Sequence, residues 1–532
     1  MLQQQGRYAA ATPPKIADGW TLEELTPASR LFQACGLRTG ADGRIYVAQV
    51  TGSEISAVDL ESREIEVISP KGGDIVGPDD LAFDARGNLY ATEVMEGRVS
   101  VLGQGGRARV LRDDLPNANG ITFHQNRLFI DECRMGGRLL ELDLNGGAPL
   151  VLLENLPMPN ALAPGPDGFL YFPVLGANEI WRVHPDGGAA ERVAGDLGVP
   201  DALKFDSQGH IVSTQVHTGE VLRIDPRNGE RTVLARLDPG LDNLTFVGER
   251  LFVSHNTDGR ITEILAGGKT RTLVSAGFNW PLDLAIGDDG QLYVADGLAF
   301  HCLSAGGVRQ CLGSLYDPRC PIGVRGLAPL AERAFAVTTL TGKVGLYRPW
   351  AAQYEELAAG LDELYGIAIA PDGTIVVTEF GTGCVLSIRS GECSVLARGL
   401  QGPMGIAIAA DGTCFVSEAA AGRVVKLKGS GVEIVLDGLQ RPHGIALRGS
   451  SLYVVDAGAQ QLIAFDTATR ARSTIATHLP VGAPPGVTPK PLPGVPPFCG
   501  PLAPFTGVCI GADGTLYLSG DAAGLVLALR PS

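Results

Sequence analysis

Short runs of apolar residues, bounded by glycine, aspartate or asparagine, recur along most of the chain. One pattern repeats: an apolar run, a turn such as Asp-Gly, and a run of the form Leu-Tyr-Val-x-Asp/Glu, as in LAFDARGNLYATE at 81–93 and IAIAPDGTIVVTE at 367–379. Two further runs rich in β-branched residues follow each copy, and such runs between turn residues predict strands. Each copy therefore predicts a four-stranded antiparallel blade of a β-propeller.

The repeat occurs twelve times at intervals of about 40 residues, the period typical of propeller blades. A single propeller normally closes with no more than about eight blades. The sequence therefore predicts an all-β fold of two tandem six-bladed β-propellers. The residues directly ahead of the first strand of each copy are Cys35, Asp79, Asn119, Asn160, Asp201, Asp242, Leu282, Arg325, Tyr365, Met404, His443 and Thr506.

The strand count predicts how the two rings close. The twelfth copy ends after its third strand, whereas residues 20–27 form an isolated strand ahead of the first copy. We expect residues 20–27 to complete the sixth copy and residues 270–275 to complete the twelfth, because both rings would then lack unpaired edges. This predicts an N-terminal extension at 1–19, a first propeller at 20–267 and a second at 268–532.

The last interval of the repeat contains a proline-rich insertion at 480–501 without a strand pattern. Such a segment predicts a stiff loop. Because it joins the end of one blade to the start of the next, we expect it over the mouth of the second ring. It acts there either as a lid or as a passive insertion.

Charge and composition limit the partners. The chain has 43 Lys and Arg against 58 Asp and Glu, a net charge of -15 that disfavours nucleic acid and anionic membranes. No apolar run reaches the roughly 18 residues that span a bilayer, and the N-terminus lacks a signal-peptide pattern. We expect a cytoplasmic protein that binds a small molecule; the oligomeric state is left open.

Oxygen-bearing side chains precede the first strand in five consecutive copies of the first ring: Asp79, Asn119, Asn160, Asp201 and Asp242. The repeat places them around one mouth of the ring. Carboxylate and amide oxygens suit a hard cation such as Ca²⁺, Mg²⁺ or Mn²⁺. The alternative is that these side chains cap the strand entrances through hydrogen bonds to the backbone.

A second circle at the same mouth comes from the ends of the second strands, since both positions lie at one end of an antiparallel pair. If the site is catalytic, the metal acts as a Lewis acid and a carboxylate or imidazole transfers the proton. The candidates for proton transfer are Asp201, Glu132 and His255. Glu93 and Gln215 in the same circle are candidates for substrate binding.

The successive segments PNANGITF, MPNALAPGPDGFLYF and VPDALKFDSQG resemble the SMP-30/gluconolactonase/luciferin-regenerating family of six-bladed propellers, and the second ring more loosely resembles NHL-type repeats. The resemblance implies a metal-dependent hydrolase of a lactone, ester or related small molecule. It also implies one divalent ion, with Ca²⁺ expected and Mg²⁺, Mn²⁺ or Zn²⁺ as alternatives.

Carried over by position, the resemblance implies Asn160 and Asp201 as metal ligands and Asn119 as an additional contact. The family's first-blade Glu is expected near Ala34 or Cys35, where this chain has no carboxylate. Asp79 or Asp242 would then supply the third anionic ligand, or Cys35 would join the site of a softer metal. The remaining alternative is that the ion has been lost.

The second ring has different candidate residues, because the six residues ahead of its first strands, its inner circle, show no metal-binding pattern. Arg325 and His443 are candidates for substrate binding, and the acidic outer circle is expected to pair with them. The segment RPHGIALRGSSLYVVD is similar to the repeat of virginiamycin B lyases, which implies His443 and Asp456 in a metal-assisted elimination. Two alternatives to the hydrolase therefore stay open: a metal-assisted lyase or isomerase of a specialised pathway, and a non-catalytic binding or scaffold protein.

Overall fold

The structure is a computed structural model of the 532-residue chain and describes residues 7–8, 12–304, 306–428, 431–496 and 499–532. The strands in these ranges form eleven four-stranded sheets and one five-stranded sheet, all antiparallel. This confirms the predicted all-β fold of two six-bladed propellers. The helical segments among the described residues are three single turns of 3-10 helix at Leu175–Ala177, Ala266–Gly268 and Pro349–Ala351.

The chain divides into two compact units. Residues 30–277 form the first propeller, and residues 1–29 together with 278–532 form the second. Blades are numbered 1 to 12 in chain order, with six in each propeller. Within the described residues, no helix has the length and apolar character needed to cross a bilayer.

The strands of the first propeller are, in blade 1, Leu37–Thr39, Ile45–Gln49, Glu54–Val58 and Ile65–Ser69; in blade 2, Pro78–Phe83, Leu89–Glu93, Arg98–Leu102 and Ala108–Arg112; in blade 3, Ala118–His124, Arg127–Glu132, Met135–Leu142 and Leu150–Pro157; in blade 4, Ala163–Pro164, Leu170–Val174, Glu179–Val183 and Glu191–Ala194; in blade 5, Pro200–Phe205, Ile211–Gln215, Glu220–Ile224 and Arg231–Arg236; and in blade 6, Leu241–Val247, Arg250–His255, Ile261–Ile264 and Thr270–Val274.

Those of the second propeller are, in blade 7, Pro281–Ile286, Leu292–Asp296, Ala299–Leu303 and Arg309–Ser314; in blade 8, Val324–Pro329, Phe335–Thr339, Val344–Arg348 and Gln353–Ala358; in blade 9, Leu364–Ile369, Ile375–Glu379, Cys384–Arg389 and Glu392–Ala397; in blade 10, Pro403–Ile408, Cys414–Glu418, Arg423–Lys428 and Gly431–Leu436; in blade 11, Pro442–Arg448, Ser451–Asp456, Gln461–Asp466, Arg472–Thr477 and Lys15–Ile16; and in blade 12, Val508–Ile510, Leu516–Gly520, Leu525–Pro531 and Trp20–Glu24.

Position within the blade explains the hydrophobic pattern of each strand. The second strand lies between neighbouring blades, so both of its faces are covered, and every residue of Ile211–Gln215 is buried. The fourth strand lies at the rim, and four of the six residues in Arg231–Arg236 are exposed. Apolar side chains fill the space between blades; Val99 of blade 2 packs with Ile121 and Ile130 of blade 3. Each such aliphatic side chain contributes roughly 1.5–3 kcal/mol on burial.

A hydroxyl near the end of the second strand joins many blades to their neighbours. In blade 2, Thr92 Oγ1 accepts a hydrogen bond from Asp80 N at 3.0 Å and donates to Asn119 O of blade 3 at 2.6 Å. In blade 6, Ser254 Oγ donates to Cys35 O of blade 1 at 2.8 Å, which closes the first ring. In blade 12, Ser519 Oγ donates to Leu282 O of blade 7 at 2.6 Å, which closes the second.

The predicted exchange of strands between the propellers is wrong. Trp20–Glu24 pairs with Leu525–Pro531 and completes blade 12, and Thr270–Val274 pairs with Ile261–Ile264 in blade 6. The turn at Ala266–Gly268 is short enough for the fourth strand of blade 6 to fold back locally. Among the described residues, blade 12 therefore takes its fourth strand from the N-terminal part of the chain, and blade 11 takes its fifth strand, Lys15–Ile16, from there too. The division between the propellers follows Gly277 instead of residue 267.

Candidate functional site

The first strands of blades 2 to 6 bring the predicted side chains together at the mouth of the first propeller, the end of its channel where these strands begin. Asn119 Nδ2 donates to Asp79 Oδ2 at 3.0 Å, and Asn160 Nδ2 donates to Asp201 Oδ1. We call Asp79, Asn119, Asn160, Asp201 and Asp242 the oxygen ring. Hydrogen bonds between adjacent blades thus fix the orientation of both asparagine amides.

The three carboxylates of the oxygen ring act on one another electrostatically. Burial, followed by the charge of Asp80, raises the pKa of Asp79 to about 7. Burial raises the pKa of Asp201 and Asp242 well above the ordinary value, with the charge of Asp79 acting on both. Like charges have this effect only at short range. The three carboxyl groups therefore form one electrostatic unit.

No cation among the described residues balances this unit, because none of the three carboxylates has a Lys, Arg or His ion-pair partner there. In the same described ranges, no group of three His, Cys, Asp or Glu side chains is arranged to hold a metal ion. The amide groups of Asn119 and Asn160 lie against the carboxylates with their nitrogen atoms. Coordination by their oxygen atoms would require these amides to rotate.

Blade 1 contributes a thiol at the equivalent position. Cys35 is buried, and its burial and the nearby carboxylates raise the pKa of its thiol well above the ordinary value. Sequence analysis missed one further neighbour, Asn256, whose Nδ2 donates to Asp242 Oδ2 at 3.1 Å. Its position directly after the second strand of blade 6 is the signal that identifies it.

The outer circle of the same mouth has structural contacts. Glu93 Oε2 accepts a hydrogen bond from Val76 N at 2.6 Å, and Gln215 Oε1 accepts one from Gly198 N at 2.9 Å. In each case a fully buried side chain holds the loop that leads into its own blade. These contacts tie Glu93 and Gln215 to the backbone of their own blades and do not join either side chain to the oxygen ring.

The two other catalytic candidates are also engaged elsewhere. Glu132 is fully buried and forms ion pairs with Arg138 and with Arg134, the latter at 3.1 Å. His255 Nε2 donates to Asp238 O at 3.0 Å, and burial lowers the pKa of the imidazole. These contacts do not join Glu132 or His255 to the oxygen ring.

Charged side chains that sequence analysis missed lie on the same first strands, beyond the oxygen ring. Arg38 Nη2 lies 3.5 Å from Asp80 Oδ2 and donates to Ile121 O at 2.8 Å. Lys204 Nζ has no hydrogen-bond partner in the described part of the chain, and burial lowers the pKa of its ammonium to about 7. The signal was available, since a charged residue stands three positions after Cys35 and after Asp201, where most copies carry Ala or Thr.

The mouth of the second propeller contains Arg325 and His443, but the predicted pairing with the acidic outer circle is wrong. Arg325 donates to Leu364 O at 2.9 Å and to Pro501 O at 2.7 Å, and His443 Nδ1 accepts from Thr506 N at 3.2 Å. The acidic side chains of the outer circle instead accept hydrogen bonds from backbone N–H groups of the loops that lead into their own blades. These acidic residues are Asp296, Glu379, Glu418 and Asp456.

The proline-rich insertion covers this mouth, as its position in the repeat predicted. Gly500 N donates to Leu340 O at 2.8 Å, and the Phe505 ring stacks on His443 with centroids 6.2 Å apart. Burial lowers the pKa of His443 to about 3, so the imidazole is neutral. Residues 497 and 498 of the insertion lie outside the described residues. A closed mouth and a neutral, stacked imidazole do not favour the lyase alternative.

Comparison with protein families gives one match. Residues 26–257 match the family model described as the SMP-30/Gluconolactonase/LRE-like region. This part of the chain is similar to the SMP-30/gluconolactonase/LRE-like family. It covers most of the first propeller, which we call the SMP-30-like propeller, and it contains the whole oxygen ring.

Solved structures resemble the chain at low identity. A streptogramin B lyase is 18% identical, with 52% of this chain and 94% of that chain covered and a TM-score of 0.39. A gluconolactonase from Xanthomonas campestris is 17% identical, with coverages of 48% and 96% and a TM-score of 0.39. A search of curated proteins finds no match. At these identities and scores, no activity is transferred to this chain.

Proposed function

We propose that the SMP-30-like propeller is a metal-dependent hydrolase of a lactone, ester or related small molecule, with one divalent cation at the oxygen ring. The observation that carries the proposal is the convergence of three carboxylates and two asparagine amides without a balancing cation among the described residues. Asp201 and Asp242 are buried, and Asp79 is half-buried. Burying like charges together is costly unless a counter-ion compensates. A divalent cation would supply that compensation.

The donor atoms fit a hard cation. All are carboxylate or amide oxygens, which Ca²⁺ and Mg²⁺ prefer over nitrogen and sulfur. Asn160 lies directly beside Asp201, because its Nδ2 donates to that carboxylate, and rotation of its amide would present Oδ1 to a cation. We assign Asn160 and Asp201 as ligands, with Asp79 or Asp242 in place of the first-blade carboxylate that this chain lacks. Ca²⁺ is the expected ion.

The residues of the oxygen ring would have separate roles in cation binding, proton transfer and substrate orientation. When bound, the cation would act as a Lewis acid toward a carbonyl oxygen or a water molecule. The carboxylate that is not engaged as a ligand, Asp79 or Asp242, would accept the proton of the attacking water. Asn119, held by its hydrogen bond to Asp79, would orient the substrate through its amide group.

The test is hydrolysis of a panel of aliphatic lactones and aryl esters by the full-length protein. We expect activity in the presence of added Ca²⁺, Mg²⁺, Mn²⁺ or Zn²⁺, its loss after treatment with EDTA, and its return when the same metal is added back. Spontaneous hydrolysis is measured with heat-denatured protein. Hydrolysis that survives complete removal of metal would contradict the proposal.

A further inference from the structure

The second propeller has a cavity of about 400 Å³ in its channel, at the end opposite the closed mouth. Its wall includes the residue three positions after the inner-circle residue of each blade: Ala285, Ala328, Ala368, Ala407, Ala446 and Cys509. Phe505, four residues after the end of the proline-rich insertion, also lines the cavity. The volume lies within the range of small-molecule sites.

Two of the six equivalent positions of the SMP-30-like propeller contain long, charged side chains, and the other four are Ala82, Thr122, Ala163 and Thr245. Arg38 and Lys204 stand where the second propeller has alanine. The Arg38 guanidinium donates to Leu81 O of blade 2 and to Ile121 O of blade 3, so it extends across the first strands of two other blades. A cavity at this level therefore reflects the choice of small residues in the second propeller and is not a general consequence of the six-bladed fold.

One carboxylate faces this cavity. Asp283 lines the cavity and accepts hydrogen bonds from Leu284 N at 2.9 Å and from Leu327 N at 3.1 Å. Gly507 provides the room, because a Cβ atom at this position would lie 2.2 Å from Asp283 Oδ1. In the first propeller the equivalent Asp80 has Arg38 as its ion-pair partner, whereas none of the described residues forms an ion pair with Asp283.

We propose that this cavity binds an organic cation, a primary or secondary amine with a compact apolar body, whose ammonium group pairs with Asp283. The alanine side chains and Phe505 would contact the apolar body. A half-buried carboxylate without a cationic partner favours a positively charged ligand and disfavours an anionic one. A neutral apolar ligand would fill the space but leave the Asp283 carboxylate without a counter-ion.

The test uses three probes of similar shape: 4-phenylbutylamine, 4-phenylbutan-1-ol and 4-phenylbutyrate. Their binding to the full-length protein is measured by isothermal titration calorimetry. We expect the amine to bind at least roughly tenfold more tightly than the alcohol, with the carboxylate weakest. EDTA is not expected to change these affinities, which separates this site from the metal-dependent activity of the first propeller.

Two kinds of variant separate the contribution of the Asp283 charge from that of the cavity volume. Asp283→Asn, nearly identical in shape, is expected to weaken amine binding at least roughly tenfold and to leave alcohol binding unchanged. Ala368→Leu and Ala446→Leu, which fill the cavity from two blades, are expected to weaken both ligands. Thermal unfolding of each variant verifies the fold. Absence of amine binding to the wild type, or an unchanged amine affinity in a folded Asp283→Asn variant, would overturn the proposal.

Discussion

Deletion of residues 1–24 is expected to unfold the second propeller and to leave the first one folded. The deletion removes Trp20–Glu24, which pairs along its whole length with Leu525–Pro531. It also removes Trp20 and Leu22, which pack against a core that includes Leu527 and Leu529. Lost hydrogen bonds and apolar contacts of this extent amount to roughly 5 kcal/mol or more, comparable with the whole stability of a typical domain.

Differential scanning calorimetry of the truncated and complete chains measures this effect. The two propellers are separate compact units, so we expect two transitions in the complete chain and only that of the first propeller after truncation. A Thr21→Ala/Glu23→Ala variant is the matched control, because both of these side chains are exposed on the same strand. Loss of the first propeller's transition, with the second retained, would instead support strand exchange between the propellers.

Replacement of Asp201 by Asn is expected to lower kcat/KM for the lactone or ester substrate about 1000-fold, equivalent to about 4 kcal/mol of transition-state stabilisation. Asn preserves the shape of the side chain and an oxygen atom that can accept the hydrogen bond from Asn160. It removes the negative charge that we assign to cation binding. The loss should therefore reflect the site and not a change of fold.

Steady-state hydrolysis of the best substrate from the panel provides the measurement, with metal added at several concentrations. Glu230→Gln is the control, since Glu230 is an exposed carboxylate on the same blade. We expect the control to retain full activity. If the folded Asp201→Asn variant matched the wild type at all metal concentrations, Asp201 would have no part in the reaction.

The repeat made most of the fold predictable from sequence. Each blade is a local unit whose strands pair with their neighbours in the chain, so short-range patterns determine its structure. Ring closure was harder to predict from sequence, because the partner of Leu525–Pro531 lies about 500 residues away and several strands have a similar pattern. A turn at Ala266–Gly268 that lets Thr270–Val274 fold back was the local feature that decided the pairing.

The same reasoning explains which parts of the site were predicted. Asp79, Asn160 and Asp201 occupy one position of the repeat, so their convergence follows from the fold alone. The contacts of Glu132 depend on nearby arginines, and those of Arg325 depend on the proline-rich insertion. The repeat determines neither of these features. Differences between copies, not their common pattern, distinguish the channel of one propeller from that of the other.

Metal content of the purified full-length protein, measured by elemental analysis after exhaustive dialysis without chelator, tests the central claim most directly. The wild type and the Glu230→Gln control are expected to retain about one equivalent of a divalent metal, and an Asn160→Ala/Asp201→Ala variant is expected to lose it. A wild type that holds no metal after addition of Ca²⁺, Mg²⁺, Mn²⁺ or Zn²⁺, or a folded double variant that holds as much as the wild type, would contradict a cation at the oxygen ring.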